Sequence, residues 1–293
     1  MKNADRPLVQ DRLFESFELS LKADGLRPHT IACYVRDIKK FWEFAQPEDP
    51  KSVTSDQIRK FVTSLKGKLS PKSIHAAQIS VRRFFKFLIA EGELTNDPSR
   101  PVRLTKFRVT PQPTYTLDEV KKLLASCRVS TKEGVRNHAI ISVLFDTGVR
   151  ESELVSMGIP DWDNSTVWVD GKTGQRLIPL GTNALRSIDR YARKWNVTSD
   201  DLWMGKYGPL TRWGVLQLVQ RQCMKAGVKH KGVHAFRRAA AAHMKRLGMN
   251  DSDILEVMGW KDVTMLRRYT QAVSRELAQL AHRTFSPGDS IGV

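Results

Sequence analysis

Residues 166–180 read TVWVDGKTGQRLIPL and differ from the rest of the chain, where apolar residues recur at helical spacing. Two runs rich in β-branched and aliphatic residues, 166–169 and 176–180, flank the turn-forming residues 170–174. This arrangement predicts an antiparallel hairpin with Lys172 at its tip. We therefore expect a mainly α protein with a small antiparallel β-sheet.

Helical patterns lie on both sides of this hairpin. Before it, Thr116 and Glu119 form a capping-box pattern for a helix to about Cys127, and a second helix over 135–146 is predicted to end at Gly148. After it, apolar periodicity predicts helices over 182–195, 211–226, 234–247, 250–258, 263–271 and 274–284. Residues 115–293 are therefore predicted to form a mixed α+β domain.

The first hundred residues are predicted to be helical. A broad apolar face runs over 29–45, shorter stripes lie on either side, and Ser70 followed by Pro71 marks the start of a fourth helix. We expect one four-helix domain over residues 1–98. Residues 99–114 contain three prolines and little periodicity, which indicates a basic linker.

The chain is strongly basic. It has 48 Lys+Arg against 31 Asp+Glu, a net charge of +17 and a pI near 10.0. Residues 1–108 and residues 109–293 both carry this excess, which favours a polyanionic partner such as nucleic acid over a basic surface that serves solubility alone. The helix faces opposite the apolar stripes, which are either phosphate contacts or solvated charge, carry Arg36, Lys39, Lys40, Lys72, Arg82, Arg83 and Lys86.

Cysteine content and hydropathy predict where the protein resides. Its three cysteines, Cys33, Cys127 and Cys223, are far apart and show no disulfide or zinc spacing. The N-terminus lacks the apolar stretch of a signal peptide, and no apolar run is long enough to span a bilayer. We expect a cytoplasmic protein with no membrane partner.

Five scattered residues suit attack on a phosphodiester. Arg150, Lys172, His234 and Arg237 can hold a phosphate or donate a proton, and Tyr269, preceded by two arginines, offers an oxygen nucleophile. Each alone has an ordinary interpretation: a helix-capping arginine, a turn lysine, a chance His–Arg spacing, a core tyrosine. Their order and local contexts favour the joint interpretation.

The chain resembles the tyrosine recombinases of the phage-integrase kind from about residue 10 to 284. TGVRESEL is similar to the first-arginine box, GKTGQRLIPL to the lysine hairpin, HAFRR to the His-x-x-Arg box and MGWKDVTMLRRYT to the nucleophile box. Residues 30–45 and 73–101 resemble the SAM-like core-binding domain. Arg238 and Trp260 stand where the family often has histidine, so an acid–base role at Trp260 is not expected.

The resemblance implies a function and a set of roles. Tyr269 forms a covalent 3′-phosphotyrosyl intermediate with double-stranded DNA, Arg150 and Arg237 stabilise the phosphate charge, and Lys172 protonates the leaving 5′ oxygen. His234 acts as a base or phosphate ligand, Trp260 donates a hydrogen bond, and Glu153 supports Arg150 and His234. Arg238 joins the DNA contacts.

The resemblance also implies an assembly. Two DNA sites would be held by a tetramer in which residues 274–293 dock on a neighbour, and recombination would pass through a Holliday junction. No metal, ATP or other cofactor is expected, because the phosphotyrosyl bond conserves the ester energy. Accessory proteins are not indicated by any residue of the chain.

Two alternatives are consistent with the same residues. A type IB topoisomerase shares this active-site logic but relaxes DNA without pairing sites. A DNA-binding accessory protein derived from an inactive recombinase would keep the fold and the basic charge. The compact N-terminal domain disfavours the first, and the full Arg–Lys–His–Arg–Tyr set disfavours the second.

Overall fold

Four α-helices make up the first part of the chain. In the computed structural model the described residues are 6–108, 112–171, 174–198 and 201–291, and they divide into two units, Met1–Val109 and Thr110–Val293. The helices of the first unit are α1 (Arg6–Ala23), α2 (Pro28–Ala45), α3 (Ser55–Ser64) and α4 (Pro71–Ala90), with a 3₁₀ turn at Pro50–Ser52.

Local signals start these helices where the sequence predicts. Ser70 accepts a hydrogen bond from the backbone of Ser73, and Pro71 occupies the first turn of α4, where an N–H is not needed. The apolar stripes then pack together, and aromatic rings fill much of the interior. This core contains Phe14, Phe17, Phe41, Trp42, Phe61, Phe84, Phe85, Phe87 and aliphatic residues from all four helices.

Residues 99–108 pack on the first unit, although the sequence analysis assigns them to a linker. Val102 is buried in the aromatic core. The side chain of Gln78 bonds the backbone of Arg103 and Thr105, and the ring of His75 bonds the Thr105 carbonyl. The predicted linker 99–114 is thus divided between the units after residue 109, because the backbone of Arg103 and Thr105 forms hydrogen bonds with side chains of α4.

Eight helices and two small hairpins are described in the second unit. The helices are α5 (Leu117–Ala125), α6 (Lys132–Thr147), α7 (Glu151–Val155), α8 (Thr182–Trp195), α9 (Arg212–Lys225), α10 (His234–Arg246), α11 (Asp251–Met258) and α12 (Val263–Thr284). A 3₁₀ turn at Gly288–Ile291 follows α12. The strands are β1 (Thr166–Gly171), β2 (Gly174–Pro179), β3 (Met204–Gly205) and β4 (Gly208–Pro209).

The hairpin prediction is confirmed. Strands β1 and β2 are antiparallel, with Thr166 opposite Pro179 and Gly171 opposite Gly174. Val167, Val169 and Ile178 face the core of the second unit, whereas Trp168 and Leu177 are exposed on the other face. The fold class, mainly α with small antiparallel sheets, is confirmed as well.

The C-terminal helix differs from the prediction of two helices over 263–271 and 274–284. The structure has one helix, α12, because no glycine or proline interrupts residues 263–284 and Asp262 caps its start by accepting from the backbone of Thr264. Among the described residues, no helix combines the length and apolar character needed to cross a membrane.

Candidate active site

Arg150 enters the site from a sharp turn. Gly148, whose φ of 61° is left-handed, caps the C-terminus of α6, and Arg150 is the N-cap residue of the short helix α7. A Cβ on Gly148 would lie 2.7 Å from the terminal methyl of Met258. Glycine is therefore required here both for the backbone conformation and for the close approach of Met258, the last residue of α11.

Glu153 organises two arginines. Its carboxylate accepts hydrogen bonds from the Arg150 backbone N–H at 2.9 Å, from the Arg150 guanidinium and from Nη2 of Arg176 at 3.1 Å. Burial alone would raise the pKa of Glu153. The Arg150 N–H and the charges of Arg176 and Arg150 outweigh burial and lower the pKa, so the side chain is an anion at neutral pH although it is fully buried.

Arg237 is a buried cation at the centre of the site. Its guanidinium donates to the carbonyls of Gly148, at 2.6 Å, and Met258, and it lies 4.9 Å from the ring centroid of Trp260. Burial and then the positive charge of Arg150 lower the pKa of Arg237 to about 9. Three guanidinium groups, those of Arg150, Arg176 and Arg237, surround the single carboxylate of Glu153, so an anion would be attracted to this position.

Trp260 lies between this cation and Tyr269. The rings of Trp260 and Tyr269 are 5.3 Å apart with an interplanar angle of 37°. Trp260 follows Gly259, which ends α11 with a left-handed φ of 58°, and Tyr269 lies on α12 with its side chain half-buried. Trp260 belongs to a buried cluster with Ala240, Ala241, Ile254, Met258 and Leu266, and Tyr269 packs against this cluster. The phenol is thus held on the same cluster as the Arg237–Trp260 pair.

His234 is the first residue of α10, one turn before Arg237. The sequence analysis gives Glu153 as the support of both Arg150 and His234. In the structure Glu153 pairs with Arg150 and Arg176, and the carboxylate beside His234 belongs to Glu151, with 3.5 Å between Oε2 and Nε2. Arg212, the first residue of α9, lies 3.5 Å from the other oxygen of Glu151.

Lys172 lies outside the described residues. The strand ends on either side of it are described, and a Cβ on Gly171 would lie 2.7 Å from Oε1 of Glu153. The end of β1 is therefore adjacent to the carboxylate that holds Arg150. Among the described residues, no cluster of three or more His, Cys, Asp or Glu side chains has a geometry that could hold a metal ion.

The cations predicted to contact DNA have varied surroundings. Arg36 pairs with Asp37 and Arg83 with Asp24, while Arg82 donates to the Val102 carbonyl and Arg238 to that of Pro113. Side chains exposed on the first unit include Lys39, Lys40, Lys72 and Lys86. These DNA contacts remain predictions.

The sequence analysis did not single out Arg176 or Glu151. A signal for Arg176 was present, because it lies two residues before Ile178 on the same, inward face of β2, where a charge needs a buried partner. Arg176 also donates to the Val257 carbonyl, so it joins β2 to α11 as well as to Glu153. Glu151 gave no comparable signal, because its two neighbours, Arg212 and His234, come from segments far from it in the sequence.

Comparison with known proteins agrees with this geometry. The phage integrase family profile matches residues 114–276, and the profile of the phage integrase N-terminal SAM-like domain matches residues 14–92. Tyrosine recombinase XerD of Oceanobacillus iheyensis is 30% identical over 282 residues, which cover 90% of this chain and 94% of the relative. Tyrosine recombinase XerD of Listeria innocua is 27% identical over 296 residues, or 95% and 99% of the two chains.

A solved structure shares the fold. The lambda integrase tetramer bound to a Holliday junction superposes with a TM-score of 0.74 at 20% identity, covering 89% of this chain and 76% of that one. The chain belongs to the phage integrase family. As a member of this family, the protein is a tyrosine recombinase.

Proposed function

We propose that the protein cleaves and rejoins DNA strands at specific sites, with Tyr269 as the nucleophile. The phenol oxygen attacks the scissile phosphorus, so the Tyr269–phosphorus bond forms while the bond to the 5′ oxygen breaks. The leaving oxygen takes a proton, and a free 5′-hydroxyl and a 3′-phosphotyrosyl linkage result. Attack by the 5′-hydroxyl of a partner strand reverses these steps and restores the DNA ester.

The observation that carries this proposal is the cluster formed by Arg150, Arg237, Trp260 and Tyr269. The guanidinium of Arg237, on α10, lies against the ring of Trp260, and that ring packs on the phenol of Tyr269, on α12. The positive charge of Arg150 acts on the same guanidinium. A nucleophile and a cation held this closely suit a phosphodiester placed between them.

Electrostatics supply much of the catalysis in this proposal. Glu153 is the anion shared by Arg150 and Arg176, and Arg237 adds a further buried positive charge beside them. The negative charge that builds on the non-bridging phosphate oxygens would compensate this excess of positive charge. Preorganised donors of this kind contribute roughly 10²–10³ in rate each.

The remaining roles complete the proton balance. Lys172 donates the proton to the 5′ oxygen, and His234 accepts the phenol proton or donates to the phosphate. Trp260 donates its indole N–H to a phosphate oxygen and packs the nucleophile. These side chains need neither a metal nor ATP, because the energy of the DNA ester is retained in the phosphotyrosyl bond.

Assembly follows from the C-terminal helix. Leu280 and Phe285 are 53% and 77% exposed at the end of α12, which supports docking of residues 274–293 on a neighbouring subunit. A cavity of about 380 Å³ in the second unit, lined by apolar side chains that include Leu124, Phe145, Met244 and Leu247, is a candidate acceptor. We propose a tetramer on two double-stranded sites with a Holliday junction intermediate, in the cytoplasm.

A trapping experiment tests the nucleophile. On a nicked suicide substrate, the short fragment that carries the new 5′-hydroxyl diffuses away, so the wild-type protein accumulates a covalent adduct. Tyr269→Phe forms none, because the attacking oxygen is gone. Denaturing gels with labelled DNA measure the adduct. Tyr207→Phe is the matched control, since Tyr207 is 91% exposed and lies outside the cluster. Adduct formed by Tyr269→Phe would show that another residue is the nucleophile.

A further inference from the structure

Glu151 is a buried carboxylate with an unsatisfied oxygen. It is the first residue of α7, its side chain is 14% exposed, and Oε2 has no hydrogen-bond partner among the described residues. A buried carboxylate oxygen without a donor is costly, so such a group is expected to act on a neighbour.

The neighbours of Glu151 are an exposed histidine and an exposed arginine from different helices. Nε2 of His234 lies 3.5 Å from Oε2, and Nη2 of Arg212 lies 3.5 Å from Oε1. The histidine side chain is 60% exposed and the arginine side chain 64% exposed. Both separations exceed the roughly 2.7–2.9 Å of a charge-assisted hydrogen bond. The carboxylate is thus the fixed member of the group, and the histidine and the arginine approach it from solvent.

We propose that Glu151 is a positioning residue that sets the tautomer and orientation of His234. A small movement of the exposed His234 ring toward Glu151 lets Oε2 accept the N–H of Nε2, so the proton of the neutral ring stays on Nε2 and Nδ1 keeps its lone pair. Glu153, two residues further along α7, holds the guanidinium of Arg150 by a hydrogen bond. One short helix therefore orients two members of the site.

This inference rests on the proposed function only for the role of the freed nitrogen. With Nε2 committed to Glu151, Nδ1 is the atom of His234 that accepts the phenol proton or, once protonated, donates to the phosphate. A wrongly protonated or rotated ring would present an N–H where a base is needed. The cleavage rate lost through such a misplaced ring cannot exceed the contribution of acid–base catalysis, which is roughly 10²–10⁴ in rate.

A spectroscopic experiment tests the pairing without any reaction. Histidine ¹⁵N-labelled full-length protein is examined free of DNA at about pH 8.5, above the ordinary histidine pKa of about 6.5, and His234→Gln identifies the signals of His234. We expect the proton on Nε2 in the wild type. Glu151→Ala should shift the ring toward a mixture of tautomers, and Glu151→Gln, which keeps an acceptor oxygen, should largely retain it. A wild-type ring protonated on Nδ1 alone, or a tautomer unchanged in Glu151→Ala, overturns the proposal.

A double-mutant cycle tests the consequence for cleavage. On the suicide substrate at saturating protein, Glu151→Ala should lower the cleavage rate constant by about tenfold or more, within the acid–base limit, and leave noncovalent DNA affinity within about twofold. In the His234→Ala background the same substitution should have no further effect, because the two residues act as a unit.

Other outcomes of the cycle point to different roles. If the rate losses of Glu151→Ala and His234→Ala multiply in the double variant, the positioning role is wrong. It is also wrong if Glu151→Ala weakens only DNA affinity and Arg212→Ala weakens it equally. Because the tautomer is read without DNA, that result stands whether or not Tyr269→Phe abolishes the adduct. The failure of the inference and the failure of the proposed function are therefore distinguishable.

Discussion

The surroundings of Phe84 in the first unit and of Arg237 in the second contain different kinds of buried side chain. Around Phe84 the first unit packs aromatic rings, with centroids 5.2–6.3 Å from that of Phe84. Around Arg237 the second unit buries charge, with Glu153 fully buried and Arg176 15% exposed. The first arrangement stabilises the fold. The second keeps unbalanced positive charge inside, which costs stability and is useful when an anion binds.

The largest effect is expected from breaking the charged cluster. Glu153→Gln removes the anion shared by Arg150 and Arg176, so the free energy of unfolding should fall by about 3–5 kcal/mol at neutral pH, and cleavage should fall with it. Urea denaturation followed by hydrogen exchange in each unit measures the change. Glu18→Gln is the control, because the exposed Lys22–Glu18 pair is worth less than about 1 kcal/mol.

The pH dependence of this effect has a defined sign. The pKa of Glu153 is lower in the folded protein than its ordinary value of 4.5, so ionised Glu153 stabilises the fold fully above that value. That contribution is lost as the pH falls through the lower, folded pKa. The stability gap between wild type and Glu153→Gln should therefore narrow below pH 4.5, and a gap independent of pH would contradict the assignment.

A comparable loss of stability, without the catalytic loss, is expected from the aromatic core. Phe84→Ala leaves a cavity among its neighbouring rings and should lower the free energy of unfolding of the first unit by about 3–5 kcal/mol. Leu19→Ala, at a side chain that is 66% exposed, should stay within about 0.5 kcal/mol. Hydrogen exchange should show the change in α1, α2 and α4. Equal loss of protection in the second unit would mean that the units do not unfold separately.

The smallest effect separates backbone strain from site geometry. Gly148→Ala should cost about 1–2 kcal/mol for the left-handed conformation, as should Gly25→Ala at a φ of 70°. Only at Gly148 does the new methyl group meet Met258 and disturb a carbonyl that binds Arg237. Melting temperatures should therefore fall for both variants, and somewhat more for Gly148→Ala, whereas single-turnover cleavage should fall only for Gly148→Ala. Equal cleavage by Gly148→Ala and Gly25→Ala would show that the turn at Gly148 can shift without disturbing the site.

The sequence predicts the first unit more fully than the site. Its apolar stripes and the Ser70–Pro71 helix start are local, so each can be read from a few neighbouring residues. The Thr116 capping box of the second unit is local in the same way. The hairpin at 166–180 is local too. The packing of residues 99–108 on α4 was not predicted, since it depends on tertiary hydrogen bonds. The prediction of two helices over 263–284 was wrong, because no glycine or proline breaks that stretch.

Within the site, the sequence predicts the residues that lie in motifs similar to those of the family. It predicts only some of the residues that support them. Arg150, Arg237, Trp260 and Tyr269 lie in recognisable motifs, and Glu153 lies one helical turn from Arg150. Arg176 is 23 residues from Glu153, and the Glu151–His234 contact joins residues 83 positions apart. Such pairings depend on how α7, α10 and β2 come together, which no short pattern encodes.

One feature of Arg237 bears on how such proteins decay in evolution. Its guanidinium ties the end of α6 to the end of α11, so replacing it removes a cross-brace as well as a phosphate ligand. Tyr269, by contrast, contributes a ring that phenylalanine would reproduce. A lineage that abandons catalysis yet retains a folded DNA-binding scaffold is therefore expected to discard the hydroxyl first and the arginine last.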